Sequence, residues 1–248
     1  MRLWHDVQGP GDAPVLVLPC SLGTSRELWD AALYADRFRV LRYEHRGHGE
    51  SDVPRGPYSM EELARDALEL LDGLGVEHAS WIGVSLGGMV GMWLAAHVPE
   101  RLDRIVLACT SARMPAPEAY RQRAVAVREQ GLEPLADAVV SGWFTPEAPD
   151  ELSRRFRAIL VATPAEGYAG CCEALAAWDF RSELPRVAVP TLVIAGERDE
   201  ATPAGDTQLL AETIPDARFA LIRDAGHLAN VERPQEFAAA ARSHLEDR

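Results

Sequence analysis

Ser80-Trp81-Ile82-Gly83-Val84-Ser85-Leu86-Gly87-Gly88 starts as an apolar run, passes through Gly-x-Ser-x-Gly and enters the helical pattern Leu86 to His97 without a linker. A serine on so abrupt a strand-to-helix turn needs an unfavourable backbone conformation, and the turn brings the residues two before and two after it together. Gly83 and Gly87 are small enough to meet there. Gly88 and Gly91 then let the helix approach the sheet closely, with its positive end beneath Ser85. The bare motif is common, so its weight comes from this strand-turn-helix setting.

Outward from that turn, apolar runs recur at Val15 to Leu18, Val40 to Tyr43, Ile105 to Ala108, Thr191 to Ala195 and Phe219 to Ile222, with Ser80 to Gly83 among them. Most are unbroken rather than alternating, as in parallel strands covered on both faces. Amphipathic stretches such as Met60 to Leu74 and Pro234 to Leu245 lie between them, which predicts a mostly parallel, doubly wound α/β sheet. The rhythm breaks once, between Ala108 and Thr191. Helical patterns over Glu118 to Gln130, Glu133 to Trp143, Asp150 to Ala162 and Glu166 to Trp178 fill that gap, with prolines at their boundaries. The expected organisation is a core of residues 1–110 and 186–248 with a helical cap, 111–185, inserted late in the sheet over its carboxyl edge.

A serine hydroxyl is a poor nucleophile until a positioned base takes its proton, so Ser85 requires a histidine and an orienting carboxylate downstream. Asp199 follows the run Thr191 to Ala195 through Gly196-Glu197-Arg198, and His227 follows the last run through Asp224-Ala225-Gly226. Glu197, Glu200 and Asp206 compete with Asp199, which lies four residues past the strand and just before Ala201-Thr202-Pro203. Two backbone N–H groups must hold a developing oxyanion. Leu86 supplies one, and Leu22, with Ser21 as competitor, supplies the other from Pro19-Cys20-Ser21-Leu22-Gly23-Thr24.

Composition removes other chemistries. The 248 residues carry a net charge of −13, and all 25 basic residues are Arg. Without Lys there is no Schiff-base catalysis, pyridoxal phosphate anchor or phosphate-loop amine. The repulsive field makes nucleic acid an unexpected partner. No apolar run reaches the roughly 18 residues of a membrane span. Met1-Arg2-Leu3-Trp4-His5-Asp6 lacks a signal peptide's apolar stretch, so no membrane partner and a cytoplasmic location are expected. Cys20, Cys109, Cys171 and Cys172 form no CxxC pair and read as buried thiols. His45 and His48 have no third ligand nearby and read as loop structure, so no metal or cofactor is expected.

With these motifs placed, the chain resembles the 3-oxoadipate enol-lactonases of the α/β-hydrolase superfamily. The resemblance rests on Ser21-Leu22-Gly23-Thr24, Arg46-Gly47-His48-Gly49, Gly83 to His97, Trp143-Phe144-Thr145-Pro146, Ala162-Thr163-Pro164, Cys171-Cys172 and Ala225 to Glu232. It implies the α/β-hydrolase fold, a triad of Ser85, Asp199 and His227, and hydrolysis of a small lactone, first of all 3-oxoadipate enol-lactone to 3-oxoadipate in aromatic catabolism. Two departures stand out. Where the family usually has Arg before Trp-Phe-Thr the chain has Gly142, and Glu200 replaces a Pro beside the acid. Both motivate an alternative, a carboxylesterase or lactonase acting on a less acidic substrate, with a ligand-binding receptor on the same scaffold as a remoter one. Trp143 and Arg113 are the candidate substrate contacts, and Trp178, Met114 and Met89 are further candidates for the pocket. An anionic substrate requires some Arg, with Arg113, Arg154, Arg157 and Arg181 the ones to inspect.

Overall fold

The computed structural model describes residues 1–247. Its strands are β1 (His5–Gln8), β2 (Val15–Pro19), β3 (Arg39–Tyr43), β4 (Ala79–Val84), β5 (Leu102–Ala108), β6 (Thr191–Gly196) and β7 (Arg218–Ile222). They form one seven-stranded sheet in the order β1-β3-β2-β4-β5-β6-β7. All pairings are parallel except β1 with β3, which is antiparallel. Strand β1 is absent from the sequence expectation, because His-Asp-Val-Gln is mostly exposed at a sheet edge and shows no apolar run.

The unbroken apolar runs serve two cores. Val17, Trp81, Ile105, Leu107 and Val193 pack on one face of the sheet, while Leu16, Leu18, Ile82, Val84, Val106 and Ile194 pack on the other. Successive strand residues point to opposite faces, so a strand buried on both must be apolar throughout. Helices α1 (Met60–Gly73) and α2 (Leu86–His97) cover the first face. Ser59 and Glu62 fix the start of α1 as a capping box, each side chain accepting the other's backbone N–H.

Between β5 and β6 lie α3 (Pro117–Gln130), α4 (Ala136–Ser141), α5 (Asp150–Ala162) and α6 (Ala165–Ala176), the helical cap inserted late in the sheet. The expected helix Glu133 to Trp143 is shorter: a 3-10 turn at Glu133–Leu135, holding Pro134, precedes α4, which ends before Gly142. Helix α7 (Ala204–Thr213) returns the chain to β7, and α8 (Ala229–Glu232) and α9 (Pro234–Leu245) close it, α9 against the second face. No helix among the described residues is long and apolar enough to cross a membrane.

Candidate active site

Ser85 sits at φ 52°, ψ −117°, between the end of β4 and the first turn of α2. A Cβ at Gly83 would collide with the Gly87 carbonyl, so no side chain fits there. The strained residue is held from the neighbouring strand on both sides. Its N–H donates to Ala108 O at 2.9 Å, and its carbonyl accepts from the Thr110 hydroxyl at 2.8 Å. The Ser85 side chain does not cap α2, which leaves its Oγ free for other work.

Asp199 and His227 come from the loops after β6 and β7, and each is 5% exposed. His227 Nδ1 lies 2.9 Å from Asp199 Oδ2, and a carboxylate only accepts, so Nδ1 carries the proton and Nε2 keeps a lone pair. Asp199 also accepts from Ala201 N, Thr202 N and the Thr202 hydroxyl, at 2.8, 2.9 and 2.7 Å. Burial pushes this carboxyl up, but the His227 charge and hydrogen bond together with the Thr202 donors outweigh it, leaving Asp199 below its ordinary range. Glu197 instead accepts from Asp224 N, and Glu200 is exposed. Ser85 and His227 line the same cavity of about 370 Å3, although no hydrogen bond joins them among the described residues.

The loop after β2 distinguishes its two oxyanion candidates. The Ser21 N–H is taken by the Thr24 hydroxyl at 2.7 Å and the Gly23 N–H by His48 Nε2 at 3.0 Å. The Leu22 N–H donates to no group among the described residues, and Leu22 lines the cavity. Leu86 opens α2, so its N–H has no carbonyl one turn back. His48 is therefore a buried brace, its Nδ1 meeting Arg46 O at 3.2 Å and its Nε2 accepting from Gly23 in the loop after β2.

Glu232, on α8, accepts from Gly226 N at 2.8 Å and from Thr145 N at 3.2 Å, and also from the Thr145 hydroxyl. Leu228 N donates to Trp143 O at 3.0 Å. The histidine loop and the Trp-Phe-Thr segment of the cap are thus one hydrogen-bonded unit.

The sequence profile of the α/β hydrolase fold family matches residues 13–234. The 3-oxoadipate enol-lactonase 2 of Acinetobacter baylyi is 42% identical over 234 residues, 92% of this chain and 87% of its own. The crystal structure of the enol-lactonase from Burkholderia xenovorans LB400 superposes with a TM-score of 0.96 at 40% identity, covering 99% of this chain and 96% of that one. The chain belongs to the 3-oxoadipate enol-lactonase family of α/β hydrolases. A thermophilic esterase from Thermogutta terrifontis, solved with malate bound, is a further relative at TM-score 0.92 and 32% identity, covering 98% of this chain and 92% of that one.

In this α/β hydrolase the expected pocket residues divide. Trp143 and Met114 line the cavity, whereas Met89 is fully buried and Trp178 stacks on Phe180 while donating to Ser111 O. Arg113 is exposed, its backbone bridged to Asp179, and it is not on the cavity wall. Arg154 pairs with Glu151, Arg157 with Glu133 and Asp137, and Arg181 with Asp179; none of the three lines the cavity. The cation on the wall is Arg123 of α3. The stripe Tyr120, Arg123, Ala124, Val127 was the available signal, because helical spacing puts Arg123 among inward positions. Thr110 and Thr202 carry no motif of their own, and although His48 and Glu232 lie in segments shared with the family, the supporting contacts of all four appear only in the fold.

Proposed function

We propose that this enzyme is a serine hydrolase that opens a lactone ring, with Ser85 as nucleophile, His227 as base, Asp199 as its orienting carboxylate and Leu22 and Leu86 as oxyanion donors. The observation that carries this reading is the buried Asp199–His227 pair, 2.9 Å apart, on the same cavity as the free Ser85 hydroxyl and the unused Leu22 N–H. Ser85 Oγ attacks the lactone carbonyl as its proton passes to His227 Nε2. The oxyanion is held by the two N–H groups, each worth about 3 to 4 kcal/mol in the transition state. The ring C–O bond then breaks and the leaving oxygen takes the proton from His227, while the acyl group stays on Ser85. Water then attacks the acyl carbon as its proton passes to His227 Nε2, the bond to Ser85 Oγ breaks, and Oγ takes that proton back as the acid leaves.

The proposed substrate is 3-oxoadipate enol-lactone, the compound in the name of the Acinetobacter relative. Its leaving group is an enol that relaxes to a ketone, which makes ring opening effectively irreversible. Within this reading residues 1–110 and 186–248 supply the chemistry and 111–185 cover it. Gly142, on the cavity wall, favours a second reading, a neutral lactone or ester. Replacing Ser85 by Ala is expected to lower turnover of the enol-lactone about a million-fold while the protein stays folded; retained turnover rejects the mechanism. Faster turnover of a neutral lactone of equal size rejects the substrate alone.

A further inference from the structure

Arg123 is half-buried on the wall it shares with Ser85 and His227, and its guanidinium lies 5.2 Å from the centre of the Tyr120 ring. It makes no ion pair among the described residues. Its neighbours on the same helix do: Arg121 pairs with Glu118, and Arg128 with both Glu166 and Glu173. The chain has 38 acidic residues for 25 basic ones, so an unpaired, partly desolvated Arg is not explained by a shortage of carboxylates. Such a charge is costly to hold without a counter-charge. Tyr168 on the same wall is fully buried and its hydroxyl has no hydrogen-bond partner. Burial and the nearby Cys172 push that phenol up against the pull of the Arg123 charge and of a close Arg123–Tyr168 side-chain approach, so it stays a neutral donor. Arg123 and Tyr168, close to each other, thus sit on one cavity wall with no carboxylate between them.

We propose that Arg123, seconded by the Tyr168 hydroxyl, receives a carboxylate of the substrate and makes this cavity selective for an anionic lactone. This rests on the lactone-opening reading. Where the family pattern carries Arg before Trp-Phe-Thr, Gly142 stands on the same wall, and a Cβ added there meets only Val139 O, at 3.6 Å. In this chain the cation on the wall comes from α3 and not from the segment after α4. Of the other ionisable groups on the wall, His227 and Tyr120 belong to the base and to the brace beneath Arg123, and Glu200 is an exposed acid that repels an anion. A lactone with a carboxylate tail is therefore drawn tail-first toward Arg123 and away from Glu200. Its ring is left at Ser85.

The test compares wild type with Arg123→Gln and Arg123→Met on two enol-lactones sharing one ring, one bearing a carboxymethyl group and one a methyl group. For the carboxymethyl lactone a rise in KM and a roughly 10- to 100-fold fall in kcat/KM are expected, the usual worth of charged hydrogen bonds. Turnover of the methyl lactone, which also reports folding, should change less than about threefold, and Arg123→Lys should keep part of the preference. Equal losses on both lactones, or none on either, overturn the proposal. If wild type opens neither lactone, the hydrolytic reading fails and the anion site is judged by calorimetry with adipate: binding at least about tenfold weaker in Arg123→Gln supports it, and equal affinity overturns it.

Discussion

The cavity has two walls with opposite hydrogen-bond balances. On the sheet-edge wall, Ser85 is gripped through its N–H and its carbonyl, Asp199 accepts from His227, Ala201 and Thr202, and the oxyanion loop is tied through Ser21 and Gly23. On the cap wall, Arg123 has no carboxylate and the Tyr168 hydroxyl beside it donates to no group among the described residues. A wall satisfied in advance holds its groups in place for the transition state and treats every acyl group alike. A wall with unused donors gains most from a ligand that completes it, which is where selectivity belongs.

Changes on the sheet-edge wall should therefore reduce the chemistry whatever the substrate. Asp199→Asn leaves the shape but favours the wrong imidazole tautomer, and about 10,000-fold lower kcat toward charged and neutral lactones alike is expected in steady-state assays. A drop confined to one substrate class would break the contrast between the walls. Gly83→Ala, whose Cβ meets the Gly87 carbonyl, should destabilise the elbow by about 3 kcal/mol or more, read by chemical denaturation. An unchanged midpoint would mean that the turn can relax.

His48 gives a subtler measure, because it acts on the chemistry only through Gly23. Burial pushes His48 down to about 4, and burial with the charge of His48 pushes His45 down to about 3. As pH falls below about 6.5 the unfolded chain takes up these protons while the folded chain does not, so stability drops from there to about pH 4. Each group costs about 1.4 kcal/mol per pH unit in that window. Asp199 acts in the same sense at lower pH: its lowered carboxyl contributes stability above the ordinary aspartate range, and that contribution is lost as pH falls through and below that range. Thermal melts between pH 7 and 4.5 should fall steadily, with a shallower slope in His48→Gln, whose kcat is expected to drop about tenfold at constant KM through the loosened oxyanion loop. A flat profile contradicts the buried neutral state. The smallest effect belongs to Arg128, which bridges Glu166 and Glu173 at the outer side of the cap with 30% of its side chain exposed. Arg128→Ala should cost about 1 kcal/mol or less, vanish in high salt and leave the ratio of charged to neutral turnover intact.

The same contrast explains what could be read in the sequence. The elbow was legible because Gly83 and Gly87 answer a local backbone demand, and Asp199 and His227 because each follows a buried strand at short distance. Strand β1 was not, since an exposed four-residue edge leaves no apolar signature. In the sequence Arg113 is favoured over Arg123 because it opens the cap, but its backbone is bridged to Asp179 and its side chain is exposed, whereas Arg123 lies on the inward stripe of α3. His48 and Glu232 work through backbone groups far off in sequence, Gly23, Gly226 and Thr145, whose approach only the fold defines.

Labelling of the folded protein with a fluorophosphonate, followed by peptide mass spectrometry, tests the proposed nucleophile most directly. A single adduct on Ser85 is expected, absent in Ser85→Ala and greatly slowed in Asp199→Asn. A folded protein in which Ser85 stays unmodified, or an adduct on another residue, contradicts the serine mechanism.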